Sequence, residues 1–251
     1  MTTLLTLNLQ FQESIHGEWL RRRELIDGIV RDLDPDIAVF QAVRVRSDPM
    51  FRYASQLLDT TERFPYVVFE PTASDEEFVD GMAVFSKKEL IEKDVMPLSW
   101  VIGSPDPTTR CVIRVKVREE EGDFHLFVVH FSWEEEQVQK NVREALAFAE
   151  LSEGPALLAG DFNLPPDAPL IQSLYRSGWL DVWELVSPGD PGYTFESPTP
   201  DRRIDYIWTR GLVPDQARVV GRESQGVRQS DHLGVYARVS AETGESPATA
   251  L

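Results

Sequence analysis

The 251-residue chain has a single cysteine, Cys111, and only four histidines, His16, His125, His130 and His232. A lone thiol cannot close an intramolecular disulfide and leaves no pair of thiolates for a structural zinc. The histidines stand far apart, without metal-binding spacing. Long apolar runs are also missing. No stretch of about 18 uncharged apolar residues occurs, which argues against a membrane-spanning helix, and the opening MTTLLTLNLQ lacks the basic start and apolar stretch of a secretion signal. Basic residues are scarce: 25 Lys and Arg against 42 Asp and Glu leave a formal charge of −17. Affinity for a phosphate backbone grows with the number of phosphates neutralised, so this balance argues against holding nucleic acid or an anionic membrane by the overall field. A local basic site inside an acidic shell stays compatible with it. These absences describe a soluble, cytoplasmic protein without membrane insertion.

What is present is enough apolar residue for a large core, 42% of the chain. No repeat or linker divides it, so residues 1–240 read as one domain, followed by a Glu-, Ser-, Pro- and Ala-containing tail at 241–251. Short apolar runs at Leu4–Leu9, Ile37–Phe40, Tyr66–Phe69, Met82–Phe85, Leu126–Val129 and Ala156–Ala159 predict strands, as do Cys111–Val117, Ile204–Trp208, Ala217–Val220 and Gly234–Val239. Helical spacing of Leu25, Ile26, Ile29, Val30 and Leu33 predicts a helix over Trp19–Leu33, with Arg21, Arg22 and Arg23 on its solvated face. A capping box of Ser132 and Glu135 predicts another, carrying Val138, Val142, Ala145 and Leu146. Weaker signals place helices at 48–59 and 169–177. Strands interleaved with three or four helices indicate an α/β or α+β domain.

Several strands end in a polar residue at the same place relative to the run: Asn8, Gln41, His130, and Asp161 with Asn163. If those strands lie side by side, their ends form one polar mouth, the usual address of an active site. Taken singly, an Asp in a turn or a His at a strand end is an ordinary structural residue. Asn8, Asp161, Asn163, Asp205, Asp231, His130 and His232 together offer oxygen and imidazole groups with no thiolate, which suits a hard cation such as Mg²⁺ better than zinc. Phosphate-ester cleavage needs such an ion, a carboxylate to activate water, and donors for the developing charge. Asp161 is the candidate proton acceptor, and Asn163 the candidate holder of water or phosphate. An Asp205–His232 pair would favour imidazolium.

The ordered motifs LTLNLQ, DIAVFQ, VVHF, LLAGDFN, RRIDYIW and SDH resemble the endonuclease/exonuclease/phosphatase superfamily across roughly residues 1–240. The resemblance implies an α+β, four-layer α/β/β/α sandwich with two packed mixed β-sheets, the DNase-like fold. It also implies Mg²⁺- or Mn²⁺-dependent hydrolysis of a phosphoester by directly attacking water. By the same match, Asn8 lies near the metal, His130 hydrogen-bonds the phosphate, Asp161 activates water and Asn163 faces phosphate or metal. Asp231 belongs to the metal site, and His232 is the closing histidine, oriented by Asp205.

One position departs from the pattern. In this family DIAVFQ is followed by Glu, the main metal-binding carboxylate, whereas Gln41 is followed here by Ala42. An engineered change made to trap substrate, a natural loss leaving a binding protein, or a ligand borrowed from elsewhere would each account for it. The intact remainder favours the first, and the chain is expected to be inactive in this form. For the substrate, Arg44, Arg46, Arg110 and Arg203 are the candidate phosphate-binding cations, and Trp133, Tyr193 and Phe195 the candidate stacking aromatics. The leading expectation is a nuclease acting on DNA. A lipid, sugar or other small-molecule phosphoesterase comes next, then a phosphate-binding module.

Overall fold

Side chains alternate across a strand, so an apolar strand buried on both faces feeds two cores at once. In β1 (Thr2–Asn8), Leu4 enters one core cluster while Leu5 and Leu7 enter another. The same division runs through both sheets of the protein, a computed structural model that describes residues 1–10, 19–46 and 63–242. The helix expected at 48–59 and most of the expected tail lie outside these residues. Ala241, expected to open that tail, instead closes a strand.

The first sheet is built from β1, β2 (Ile37–Arg46), β3 (Tyr66–Ser74), β4 (Phe78–Ser86), β11 (Leu212–Val220) and β14 (Gly234–Ala241), ordered β11-β14-β1-β2-β4-β3. The second holds β5 (Leu90–Pro97), β6 (Cys111–Val117), β7 (Phe124–His130), β8 (Ala156–Asp161), β9 (Leu180–Asp181) and β10 (Asp205–Arg210), ordered β5-β6-β7-β8-β10-β9. Both are mixed, because β1 pairs parallel with β2 and β7 parallel with β8 among antiparallel neighbours. Two short strands, β12 (Glu223–Ser224) and β13 (Val227–Arg228), form a separate ribbon.

The inner faces of the sheets share one core, with Leu4, Ile37, Val39 and Val84 from the first sheet and Ile113, Leu126, Val128, Leu157 and Ile207 from the second. Outside the first sheet lies α1 (Trp19–Leu33), packed on Leu5, Leu7, Ala38 and Phe40. Outside the second lie α2 (Glu135–Glu150) and α3 (Pro169–Arg176), packed on Phe127, Val129, Leu158 and Trp208. A fourth, short helix, α4 (Val182–Val186), follows β9. The expected four-layer sandwich is the observed one.

Two local expectations fail for a common reason, the demands of buried partners. Trp19, Arg22, Ile26 and Ile29 form the buried stripe of α1, so Arg22 is not on a solvated face. Its guanidinium donates to the carbonyls of Leu9, Gln10 (2.8 Å) and Gln229 (3.2 Å), tying the end of β1 to the loop before β14. The cap of α2 is Glu134, whose carboxylate accepts from the backbone N–H groups of Glu136 and Gln137. Ser132 is buried and its hydroxyl donates to Asp106, 2.6 Å away.

Candidate active site

The alternation that builds the core also builds the site. Asn8 shares the inner face with Leu4, His130 with Leu126 and Val128, Asp161 with Leu157 and Ala159, and Asp205 with Ile207. The ladder then sets all of them at one end. Asn8 is level with Gln41, and His130 pairs with Asp161, which pairs with Asp205. There the inter-sheet core changes from apolar to polar. Asn8 Nδ2 donates to Asp161 Oδ2 across the two sheets (2.9 Å), and Ser230 Oγ donates to the Asn8 carbonyl (2.7 Å). Gln41 is the exception. It is fully buried against Thr6 and is not among the lining residues of the mouth.

Glycine precedes Asp161 because no side chain fits: a Cβ on Gly160, at φ +145°, would sit 1.9 Å from the Val129 carbonyl oxygen. Asn163 turns the chain at φ +53°. Its backbone N–H donates to Asp161 Oδ1 (2.8 Å) and its Nδ2 to the Phe131 carbonyl (2.9 Å). Gln10, which the sequence reading passed over, donates from Nε2 to Asp231 Oδ2 (3.1 Å) and from its backbone to Asn8 Oδ1 (2.9 Å). A cavity of about 300 Å³ opens here, lined among others by Asn8, Ala42, Arg110, His130, Asp161, Asn163, Asp231 and His232.

The electrostatics separate the two histidines. Burial opposes charge on His232, but the carboxylates of Asp205, Asp161 and Asp231 outweigh it and push the ring up to about 10. Its Nδ1 meets Asp205 Oδ2 at 2.9 Å, so it is an imidazolium at neutral pH. Its Nε2 lies 3.8 Å from Asp161 and 3.9 Å from Asp231. His130, by contrast, is held neutral: burial, then the Arg110 and His232 charges, push it well below its ordinary value. Asp161 is raised to about 6, chiefly by burial, with Asp205 adding to the rise and His232 and Asn8 opposing it. A buried carboxylate with a raised value, next to a cationic ring, is the profile of a proton acceptor working near neutral pH.

The model of the endonuclease/exonuclease/phosphatase family matches residues 5–232. The chain belongs to that family. Its members hydrolyse phosphoester bonds. No curated protein matches the chain in sequence. Among solved structures, a family protein from Leptotrichia buccalis superposes with a TM-score of 0.76 at 15% identity, covering 96% of this chain and 100% of its own. A mannosyl-6-phosphatase from Bacteroides thetaiotaomicron gives 0.74 at 19%, with 96% and 100% covered. The human Nocturnin catalytic domain gives 0.73 at 19%, with 96% and 93% covered. At these identities the likeness is one of fold.

In this family member, Asp161, Asp205 and His232 bring ligand atoms within 4.8 Å of one another. That trio is a poor metal site as it stands, because a protonated imidazole has no lone pair to give and Asp205 is its partner. Among the oxygen-bearing residues on the cavity wall, Asn8, Asp161 and Asp231 gather where Asn8 bridges to Asp161 and Gln10 holds Asp231. Two carboxylates and an amide, with the rest of the shell left to water, fit a hard cation such as Mg²⁺. Ala42 stands beside them. Phe40 pairs with Ala83 and Val43 with Gly81, so Gln41 and Ala42 together face Met82 in a β-bulge. Ala42 sits at φ +50° and 8% exposure on the cavity wall. Bulges re-aim side chains beside active sites, and this one turns position 42 to the cavity when the strand's plain alternation would bury it on the far face.

The four expected phosphate-binding arginines separate. Arg110 lines the cavity, buried, with Nε and Nη2 on Asp106 Oδ2 (3.2 and 2.8 Å) and Nη1 3.4 Å from the His130 carbonyl. Arg44 makes a two-pronged pair with Asp80 (2.7 and 2.8 Å), and of the two only Asp80 is a lining residue. The side chain of Arg46 lies outside the described residues. Arg203 corrects the expectation. It is buried between Asp181 (2.6 Å) and Glu184 (2.7 Å), over the Tyr206 ring, and does not line the cavity. The RRIDYIW strand pairs with β9, which carries Asp181, and that neighbour was invisible in sequence. Arg203→Gln is expected to cost about 3–5 kcal/mol in urea denaturation, because Asp181, already raised by burial, would lose its counter-charge.

Proposed function

We propose that this family member is a Mg²⁺- or Mn²⁺-dependent phosphoester hydrolase whose attacking water loses its proton to Asp161, and that Ala42 leaves the present chain short of one metal ligand and inactive. The reading is carried by the bridge between the sheets. Asn8 and Asp161 hydrogen-bond at 2.9 Å, with the Asp205–His232 ion pair alongside. A bound divalent ion would supply charge neutralisation for the phosphoryl oxygens. Asn8, Asp161 and Asp231 are the residues to hold it, and His232 as imidazolium stabilises a phosphoryl oxygen. Neutral His130 and the Arg110 guanidinium donate to the phosphate, and Asn163 orients the Asp161 carboxylate from its backbone.

For the substrate, a phosphodiester in DNA was the first expectation. A second reading, a small or terminal phosphoester, is favoured by a specific observation: of the expected arginines whose side chains are described, Arg110 alone lines the cavity. A charge of −17 adds no general attraction for a polyanion. The test uses the Ala42→Glu variant with Mg²⁺ or Mn²⁺ on single-stranded DNA, duplex DNA, RNA, sphingomyelin and a chromogenic phosphodiester. Turnover of the small ester that barely changes between about 50 and 200 mM salt supports the second reading. A rate on DNA that falls by roughly 10³-fold or more over that range supports the nuclease. No turnover of any substrate makes the chain a phosphate-binding module.

A further inference from the structure

Trp133 stands between β7 and α2, 57% exposed, and lines the same cavity as Arg110, Asp161 and His232. Exposure of so large an apolar ring does not follow from a loose loop. Phe131 and Ser132 before it are buried. The Ser132 backbone N–H donates to Asn141 Oδ1 (3.2 Å), and the Ser132 hydroxyl donates to Asp106 (2.6 Å) while accepting from the Glu134 backbone (3.1 Å). Asp106 is also the carboxylate that grips Arg110, and it is held below the usual carboxylate range by Arg110 and Ser132 against the pull of burial. One buried carboxylate therefore fixes a cationic fork and an indole-bearing loop relative to each other. Phe195, the other aromatic on the wall, already packs on the His232 ring (4.8 Å) and under the Arg202 guanidinium (4.9 Å). Among the described residues, no ring or guanidinium contact involves Trp133.

We propose that Trp133 determines specificity in this cavity, as the platform on which a planar ring joined to the phosphate stacks, so that nucleoside-sized or aryl phosphoesters are preferred. The proposal rests on the phosphoester reading above. A flat π-surface carried on an anchored loop, in the cavity that Arg110 lines, matches a ligand with a flat ring next to its phosphate, and aromatic stacking of this kind tolerates any base.

Two esters of similar size separate stacking from plain apolar burial. Phenyl phosphate, cyclohexyl phosphate and inorganic phosphate would be titrated calorimetrically, with Mg²⁺ present, into the chain as it stands. Phenyl phosphate is expected to bind roughly tenfold more tightly than cyclohexyl phosphate. Trp133→Leu should bring the two esters level, and Trp133→Phe should keep most of the preference. Equal affinities in the unaltered chain, or a Trp133→Leu variant that weakens both esters by the same factor, overturn the proposal. Phosphate binding without a ring preference overturns this inference alone. Failure of all three to bind overturns the phosphoester reading and this inference with it.

Discussion

Ala42→Glu is expected to raise Mg²⁺- or Mn²⁺-dependent hydrolysis of bis(p-nitrophenyl) phosphate by at least about a hundredfold, since a metal held in place supplies several kcal/mol of transition-state stabilisation. The bulge already turns position 42 to the cavity at φ +50°, and alanine already bears the strain of that backbone. The longer side chain therefore adds a donor beside Asn8, Asp161 and Asp231 without asking the strand to change course. Mg²⁺ affinity, followed by calorimetry, should rise together with the rate. A variant as inactive as its parent, with the same Mg²⁺ affinity, would refute both the assignment of position 42 and the metal-dependent reading.

The second large effect belongs to Asp205. In the Ala42→Glu background, Asp205→Asn is expected to lower kcat on the order of 10³–10⁴-fold, the scale seen when the buried carboxylate that orients a catalytic histidine is neutralised. It should also cost up to about 3–5 kcal/mol of stability, because it removes one partner of a buried ion pair. The pH dependence gives a readout that simple misfolding would not. His232 titrates near 10 in the folded protein against an ordinary 6.5, so its stabilising contribution is complete below about pH 6.5 and is lost as pH rises toward 10. Asp161, raised to about 6 from 3.8, acts earlier, taking stability away as pH rises between those values. Urea midpoints measured from pH 6.5 to 10 should fall in the parent and fall less in Asp205→Asn. Parallel slopes in the two proteins would show that Asp205 does not hold the proton on His232.

Much of the site was legible before any fold was known, for a reason that lies in strand chemistry. Asn8, His130, Asp161 and Asp205 each interrupt or open an apolar run, and a strand that reads as buried on both faces announces where its burial ends. What could not be read was the identity of the partners. Arg203 and Arg44 are as basic and as close to a motif as Arg110. Yet β9 brings Asp181 to the first and β4 brings Asp80 to the second. Arg22 carries the same charge as Arg21 and Arg23, and only the packing of α1 against the first sheet decides that it is the one buried. Gln10 and Asp106 carried no signal, because their roles lie in a hydrogen bond to Asp231 and in a grip on Arg110.

Local chemistry along the chain was thus enough to indicate the alternating apolar strands, the order of the six motifs and the polar ends, all of which depend on neighbours in sequence, while the family resemblance implied the missing carboxylate at position 42. Tertiary structure alone decided which arginine reaches the cavity, that burial beside Arg110 and His232 keeps His130 neutral, and that a bulge turns Ala42 toward the site. Those outcomes depend on charges and backbone kinks supplied by strands distant in the chain, and pairing energies of that kind exist only once those strands have come together.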